Sequence, residues 1–304
     1  MRYRFITADV FTDRIFGGNP LAVLPDARGL DSGQMQPIAR EFNLSETVFV
    51  LPPDDPAHDR KLRIFTPAQE VPFAGHPTVG SALVLAAIGA IGLAGETTRI
   101  TFEESAGPVP VTIRVAGGKA SFAQLTAPVA PEVRAAPAPD AIAAMLSLTP
   151  ADLRTAAGLP EFASCGFPLL IVEVADAAAL ARARLDLALW QRLLADAWSR
   201  EVYLVSREST DPAADFQVRM FAPAAGIAED PATGGAAAAF GGWLGLRAMP
   251  AEGTARHLIA QGLEMGRPSR LEVEIEKRAG EVAAVRVGGS AVLVSEGTIE
   301  VPAG

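Results

Sequence analysis

The chain has 304 residues, of which 49% are hydrophobic and 20% charged, a composition typical of a protein with a buried core. Its net charge of −9 and isoelectric point near 5.0 exclude partners that attract a basic surface, such as nucleic acid and anionic membranes. The one cysteine, Cys165, excludes an internal disulfide and a metal site built from several cysteines. The N-terminus lacks a signal-peptide pattern, so we expect a cytoplasmic protein whose partner is a small molecule or a second copy of itself.

Short strands and two helices are predicted for the first part of the chain. A helix over 32–42 has Asp31 or Ser32 as its cap, and an apolar helix begins after His76. Residues 100–120 are predicted to form a hairpin. The predicted strands lie at 3–8, 21–24, 47–51 and 62–65.

The uncharged stretch 78–95 reaches the lower edge of the length of a membrane span. It contains four glycines and lacks flanking basic or aromatic anchors. A helix that is apolar on all sides is also typical of the middle of a protein core. We therefore expect a core helix and no membrane association.

A Pro- and Ala-rich stretch at 127–139 is predicted to connect two halves of the chain. This gives an N-terminal domain of residues 1–125 and a C-terminal domain of residues 126–304. A last strand within 297–303 could complete the sheet of either half, because propensity alone does not decide its partner. Further closing strands are predicted at 271–275, 282–287 and 291–294.

Four blocks recur in the same order, offset by about half the chain length, which predicts two copies of one α/β unit. Each block resembles its mate in apolar pattern, and three of the four pairs also share the position of a glycine or proline. The block pairs are 18–23 with 166–171, 46–50 with 201–205, 63–68 with 219–224, and 76–82 with 230–236.

The pairs His76-Pro77 and Asp230-Pro231 each place a polar side chain before a proline, which is favoured at the first position of a helix. Both residues are therefore predicted at helix N-termini. If the two units face each other, the helix starts meet across one cleft and present backbone N–H groups to an anion. A small carboxylate or an enolate is the expected occupant. Glycines beside both starts, such as Gly75 and Gly234, leave the backbone open to close approach.

Glu46 stands at the entrance to an apolar strand, where partial desolvation would raise the pKa of its carboxyl toward neutrality. Such a group suits proton uptake and return. Its repeat mate Glu201 has the same pattern, so the residues alone do not choose between them. Lysines 61, 119 and 277 lie outside the repeated motifs, which argues against a pyridoxal or Schiff-base enzyme, and the three histidines lack metal-ligand spacing.

The motifs together resemble the PhzF family of phenazine-biosynthesis isomerases. The similarity runs from about residue 4 to about residue 270. The matching segments are 9–12, 18–23, 42–47, 63–67, 70–78, 230–234, 261–262 and 266–269.

The resemblance implies an α+β fold of the diaminopimelate-epimerase-like type, in which each of two pseudo-symmetric domains curls a sheet around a central apolar helix. It implies a homodimer and no cofactor, and the histidine spacing already argues against a metal. In catalysis it implies that Glu46 is the general acid/base that moves a proton between carbons of a small anionic metabolite, with His76 and Asp230 assisting. The family's cysteine-pair relatives use two thiols, which the matching positions here lack. The implied substrate-binding residues are Asn19, Gly75, Thr233, Gly234 and Gly235.

One departure from the family pattern is Gly235, which stands where a serine is expected. The missing hydroxyl argues against the phenazine precursor itself as the substrate, although Thr233 is a partial substitute. The alternative function is a member of the same fold that binds a small carboxylate or a protein partner without catalysis.

Overall fold

The computed structural model describes residues 1–155 and 158–302. These residues form two units: the first contains Met1–Pro128 and the chain from Arg286 onward, and the second contains Val129–Val285. The sequence division into 1–125 and 126–304 therefore needs correction at its C-terminal side. The chain re-enters the first unit because its last strand pairs along the first strand, from Arg2 opposite Glu300 to Val10 opposite Ala291.

Up to Pro128, the elements are β1 (Arg2–Val10), β2 (Asn19–Leu24), α1 (Ser32–Phe42), β3 (Glu46–Leu51), β4 (Arg60–Phe65), β5 (Glu70–Val71), α2 (Gly75–Ala87), β6 (Thr97–Glu104), β7 (Gly107–Ala116) and β8 (Lys119–Thr126). The predicted helix 32–42 is confirmed. Asp31 caps it, accepting from the Gln34 N–H while the Gln34 side chain accepts from the Asp31 N–H. The region predicted as one hairpin contains three antiparallel strands, β6 to β8.

The second unit begins with β9 (Glu132–Ala135), so the predicted connector 127–139 contains a strand. The elements that follow are α3 (Pro139–Met145), β10 (Glu161–Ser164), β11 (Leu169–Glu173), α4 (Ala177–Arg182), α5 (Leu187–Leu193), β12 (Val202–Ser206), β13 (Phe216–Ala222), β14 (Ile227–Asp230), α6 (Gly234–Arg247), β15 (Gly253–Gln261), β16 (Ser269–Arg278), β17 (Glu281–Gly289) and β18 (Ala291–Glu300). Two 3₁₀ turns lie at Pro150–Asp152 and Pro223–Ala225.

The two units have the same strand pairing. In the first, β1 and β2 are antiparallel, β2 and β3 parallel, β3 and β4 antiparallel, and β4 and β6 parallel. In the second, the same succession joins β10, β11, β12, β13 and β15. The outer partner of β1 is β18, and that of β10 is β9. The internal repeat of the sequence is thus a repeat of topology.

A helix that is buried on all sides lies within each unit. Residues 75–86 of α2 and 234–245 of α6 are buried, which agrees with their lack of an amphipathic pattern. The α2 helix packs on strands that include β1, β2, β3 and β8. Close approach requires glycine there, since a Cβ on Gly80 would lie 2.6 Å from side-chain atoms of both Leu21 and Val10. The apolar stretch 78–95 is therefore core, and none of the helices in the described residues has the length and apolar character of a membrane span.

Candidate active site

Glu46 is the first residue of β3, and the parallel pairing of β2 with β3 sets it opposite Leu21. The four strand residues that follow it are buried, and its own side chain is 14% exposed. The carboxylate thus lies at a strand start with little access to water. This is the partly desolvated position predicted from the sequence.

His76 lies in the first turn of α2, and its Nε2 is 3.1 Å from Oε2 of Glu46. The helix begins two residues earlier than predicted, at Gly75, with Ala74 as its N-cap. The N-cap makes no side-chain hydrogen bond to the first turn. The second ring nitrogen of His76 has a hydrogen-bond partner too, since Nδ2 of Asn19 lies 3.2 Å from Nδ1.

Burial lowers the pKa of His76 to about 3, so the imidazole is neutral at physiological pH. An amide Nδ2 only donates hydrogen bonds, so Nδ1 of His76 acts as the acceptor and the ring proton resides on Nε2. The N–H of the ring is then on the side of the Glu46 carboxylate. Asn19 is fully buried and contacts the imidazole, while its predicted contact with substrate stays a prediction.

Asp230 ends β14 and does not cap a helix, which corrects the sequence prediction. The α6 helix begins at Gly234 with Thr233 as its N-cap, three residues after Pro231. The intervening turn is stabilised by side chains: the Thr233 hydroxyl donates to Oδ2 of Asp230 at 2.5 Å. Asp230 is buried, and the turn holds its carboxylate just before the first turn of α6.

Gln261 is a residue to which the sequence assigned no role. It is fully buried at the end of β15, where its Oε1 accepts from the Thr233 N–H and its Nε2 donates to the Asp230 carbonyl and to the Thr233 hydroxyl. The available signals were its position after the apolar run 258–260 and its place in the family-like segment 261–262. Gln261 therefore fixes the turn that presents Asp230.

The hydroxyl of Thr233 has one proton, and the hydrogen bond to Asp230 uses it. Thr233 consequently does not replace the donor that a serine at position 235 would supply. Gly235 packs against Phe167: a Cβ built on Gly235 would lie 3.3 Å from the Cβ of Phe167. Phe167 is the repeat counterpart of Asn19, so an aromatic ring stands in the second unit where the first unit has an amide.

The described part of the chain contains no group of three or more histidine, cysteine, aspartate or glutamate side chains arranged to hold a metal ion. In the first unit, Asn19, Glu46 and His76 come together. In the second unit, Asp230 and Thr233 come together beside Gly234 and Gly235. The predicted meeting of the two helix starts stays a prediction.

Comparison with known proteins identifies the family of this chain. The family of phenazine biosynthesis-like proteins, PhzC-PhzF, matches residues 8–297. The chain belongs to the PhzF family. An uncharacterised isomerase from Mesorhizobium japonicum is 45% identical over 97% of this chain and 98% of that protein. The trans-2,3-dihydro-3-hydroxyanthranilate isomerase of Pseudomonas aeruginosa is 32% identical, covering 97% and 98% of the two chains.

Solved structures agree with this PhzF assignment. A PhzF-family phenazine biosynthesis protein from Bacillus anthracis superposes with a TM-score of 0.89 at 25% identity, covering 99% of both chains. A probable proline racemase from Agrobacterium radiobacter shares the fold alone, with a TM-score of 0.69 at 15% identity over 98% of this chain and 93% of that one. The predicted α+β, diaminopimelate-epimerase-like fold is confirmed. The prediction of an isomerase is confirmed at the level of enzyme class, since these PhzF relatives are named isomerases.

Proposed function

We propose that the protein isomerises a small carboxylate-bearing metabolite by general acid/base proton transfer, without a cofactor, and that Glu46 carries the proton. The observation that supports this proposal best is the contact between Glu46 and a buried, neutral His76. A carboxylate with little solvent around it is a stronger base than one in water. The neutral imidazole, whose Nε2 lies 3.1 Å from this carboxylate, contacts it without protonating it.

The proposed reaction moves one proton within the substrate. The Glu46 carboxylate removes a proton from a substrate carbon, and the electron pair of that C–H bond enters the adjacent conjugated system. Glu46, now a carboxylic acid, returns the proton to a second carbon, and the double bonds shift accordingly. Atoms and electrons balance within substrate and Glu46, so the step requires no external oxidant or reductant.

We assign the binding of the substrate carboxylate to backbone N–H groups in the first turn of a helix, which each unit supplies separately, in α2 and in α6. The first N–H groups of a helix lack partners within the helix, and neither N-cap side chain satisfies them. Gly75, Gly234 and Gly235 supply such groups without side chains in the way. Asp230 would accept a hydrogen bond from a hydroxyl or amino group of the substrate. The homodimer implied by the family resemblance stays a prediction.

The experiment follows the exchange of carbon-bound hydrogen with D₂O by NMR. The first probe is trans-2,3-dihydro-3-hydroxyanthranilate, on which the Pseudomonas aeruginosa relative acts by name; a panel of small unsaturated carboxylates follows. Wild-type protein should catalyse exchange, and Glu46→Gln should lower its rate by about 10²- to 10⁴-fold while preserving binding. The control is Glu41→Gln, an exposed glutamate on α1, which should exchange like wild type.

Three outcomes would argue against the proposal. Undiminished exchange in Glu46→Gln would remove Glu46 from the role of proton carrier. Tight binding of a probe without any exchange by the wild-type protein would favour the non-catalytic carboxylate-binding alternative. Loss of activity on dialysis against a chelator, restored by a metal, would contradict cofactor independence.

A further inference from the structure

Glu201, the repeat counterpart of Glu46, has no part in the reaction proposed above. It directly precedes β12, as Glu46 begins β3, and its carbonyl accepts a hydrogen bond of 2.8 Å from the Leu170 N–H. Glu201 is only 9% exposed. It is therefore not the solvated strand-end glutamate that its sequence position alone would suggest.

Strand register places Glu201 and Asp230 on one face of the sheet. Tyr203 on β12 lies opposite Met220 on β13, and Met220 lies opposite Asp230 on β14. Residues directly opposite each other share a face, as do residues two apart along a strand. Glu201, Tyr203 and Asp230 consequently point to the same side. Tyr203 also contacts Phe240 of α6, with ring centroids 6.3 Å apart, so this is the face that α6 covers.

Burial of Glu201 favours a protonated carboxyl. Burial raises the pKa of Glu201 to about 7, the neighbouring Arg200 acts to lower it, and the negative charge of Asp230 raises it. Arg200 does not neutralise the carboxylate by direct pairing, since its guanidinium lies over the Trp190 ring, 4.2 Å from the centroid. Tyr203, the other titratable group on this face, is fully buried, and burial raises its pKa too.

Two other glutamates of this unit, buried Glu173 and partly buried Glu229, have a structural explanation that Glu201 lacks. Glu173 pairs with Arg207 at 2.8 Å, and Glu229 pairs with Arg219 at 2.8 Å. Oε2 of Glu201 is buried and has no hydrogen-bond partner. Leaving a buried polar atom unsatisfied is costly, so such an atom points to a ligand group that completes it.

We propose that Glu201 is a second catalytic acid, which donates a hydrogen bond from its protonated carboxyl to an oxygen of the anionic substrate held beside Asp230 at the start of α6. This inference rests on the proposed function. Negative charge spreads onto a conjugated oxygen when a carbon-bound proton leaves the substrate. A neutral carboxyl stabilises that charge, whereas a carboxylate would repel it. The proton stays on Glu201, so the balance of the reaction is unchanged.

The first test is independent of activity. Protein labelled with ¹³C at the glutamate δ carbon is titrated by NMR between about pH 5 and 9. One carboxyl that titrates near neutral pH should be missing from Glu201→Gln, and Asp230→Asn should lower the pKa of that carboxyl because it removes a like charge. Glu208→Gln, an exposed control in the same unit, should leave it unchanged. Absence of a near-neutral titration assigned to Glu201 would overturn the proposal.

The second test separates a chemical role from a structural one. With any substrate that wild type turns over, kcat/KM should fall as pH rises above about 7, and this alkaline limb should disappear in Glu201→Gln, which keeps a donor but does not titrate. Glu201→Leu should lower kcat/KM by about 10²-fold below pH 7, with a smaller difference from wild type at higher pH, where wild type has also lost the donated proton. An alkaline limb that persists in Glu201→Gln, or full activity in Glu201→Leu, would overturn the inference. Failure of the Glu46→Gln test would instead remove the proposed function and leave the titration result standing.

Discussion

The hydroxyl of Thr78 lies 2.5 Å from Oε1 of Glu104 and 2.7 Å from the carbonyl of Ala74, the N-cap of α2. A hydroxyl has one proton, so a protonated Glu104 that donates to Thr78, which in turn donates to Ala74, satisfies both contacts. Burial raises the pKa of Glu104 to about 8, whereas its hydrogen bonds with the Thr78 hydroxyl and the Ala74 N–H act to lower it. The neutral carboxylic acid of Glu104 therefore stabilises the start of α2, which contains His76.

This geometry predicts how the stability depends on pH. The folded protein retains the Glu104 proton above the pH at which the unfolded chain releases it, so the contribution of Glu104 to the free energy of unfolding is full below about pH 4.5 and is lost as pH rises to about 8. Glu104→Gln should remove this contribution. In urea unfolding, the free energy of unfolding of the variant should rise relative to that of wild type by up to ~1.4 kcal/mol per pH unit within that pH range. Exposed Glu132→Gln is the control, and a difference independent of pH would contradict the assignment.

Asn19 is predicted to select the tautomer of His76. In Asn19→Asp, the new carboxylate would accept a hydrogen bond from Nδ1–H, leaving Nε2 as an acceptor that faces the carboxylate of Glu46. Correlation spectra of ¹⁵N-labelled histidine should place the proton on Nε2 in wild type and on Nδ1 in the variant, and kcat should fall about 10- to 100-fold.

The matched control for Asn19 is Asn43→Asp, which makes the same change at the end of α1 and should leave the tautomer as in wild type. His76 should also stay neutral between about pH 5 and 8, given its lowered pKa. A wild-type proton on Nδ1, or a His76 ring that titrates in this range, would be incompatible with the site described.

Gly235 and Phe167 are predicted to be energetically coupled. A serine at 235 would bring a Cβ to 3.3 Å from the Cβ of Phe167 and to 3.4 Å from its Cγ and Cδ1. Phe167→Ala removes two of these three atoms, so Gly235→Ser should be tolerated better in that background. We expect a coupling of about 0.5–1 kcal/mol in a double-mutant cycle of unfolding free energies. Strict additivity of the two substitutions would show that the ring moves aside without cost.

Gly80 is predicted to be required for the packing of α2. Alanine normally stabilises a helix relative to glycine by about 0.5–1 kcal/mol, yet at position 80 its Cβ would lie 2.6 Å from atoms of Val10 and Leu21. Overpacking of this kind costs about 1–3 kcal/mol, so Gly80→Ala should lower the melting temperature. Gly92→Ala is the control because a Cβ there meets nothing within 4 Å, and it should be neutral. Equal melting temperatures for the two variants would refute the packing argument.

The sequence alone determined the features that depend on local pattern or on repetition. The capped helix 32–42, the all-apolar character of α2 and α6, and the two-fold repeat follow from periodicity, capping chemistry and self-similarity. The motif residues also sufficed to indicate the PhzF family. The Pro-based rule placed the start of α6 too early, because the turn from Asp230 to Thr233 depends on hydrogen bonds to Gln261, which is distant in sequence.

Only the tertiary structure decided the features that depend on long-range contact and burial. The last strand belongs to the first unit because it pairs with β1, and strand propensity carries no information about its partner. The neutral state of His76, its contacts with Asn19 and Glu46, and the common face of Glu201 and Asp230 likewise follow from packing. Protonation depends on solvent exclusion and on nearby charge, and both are properties of the folded chain.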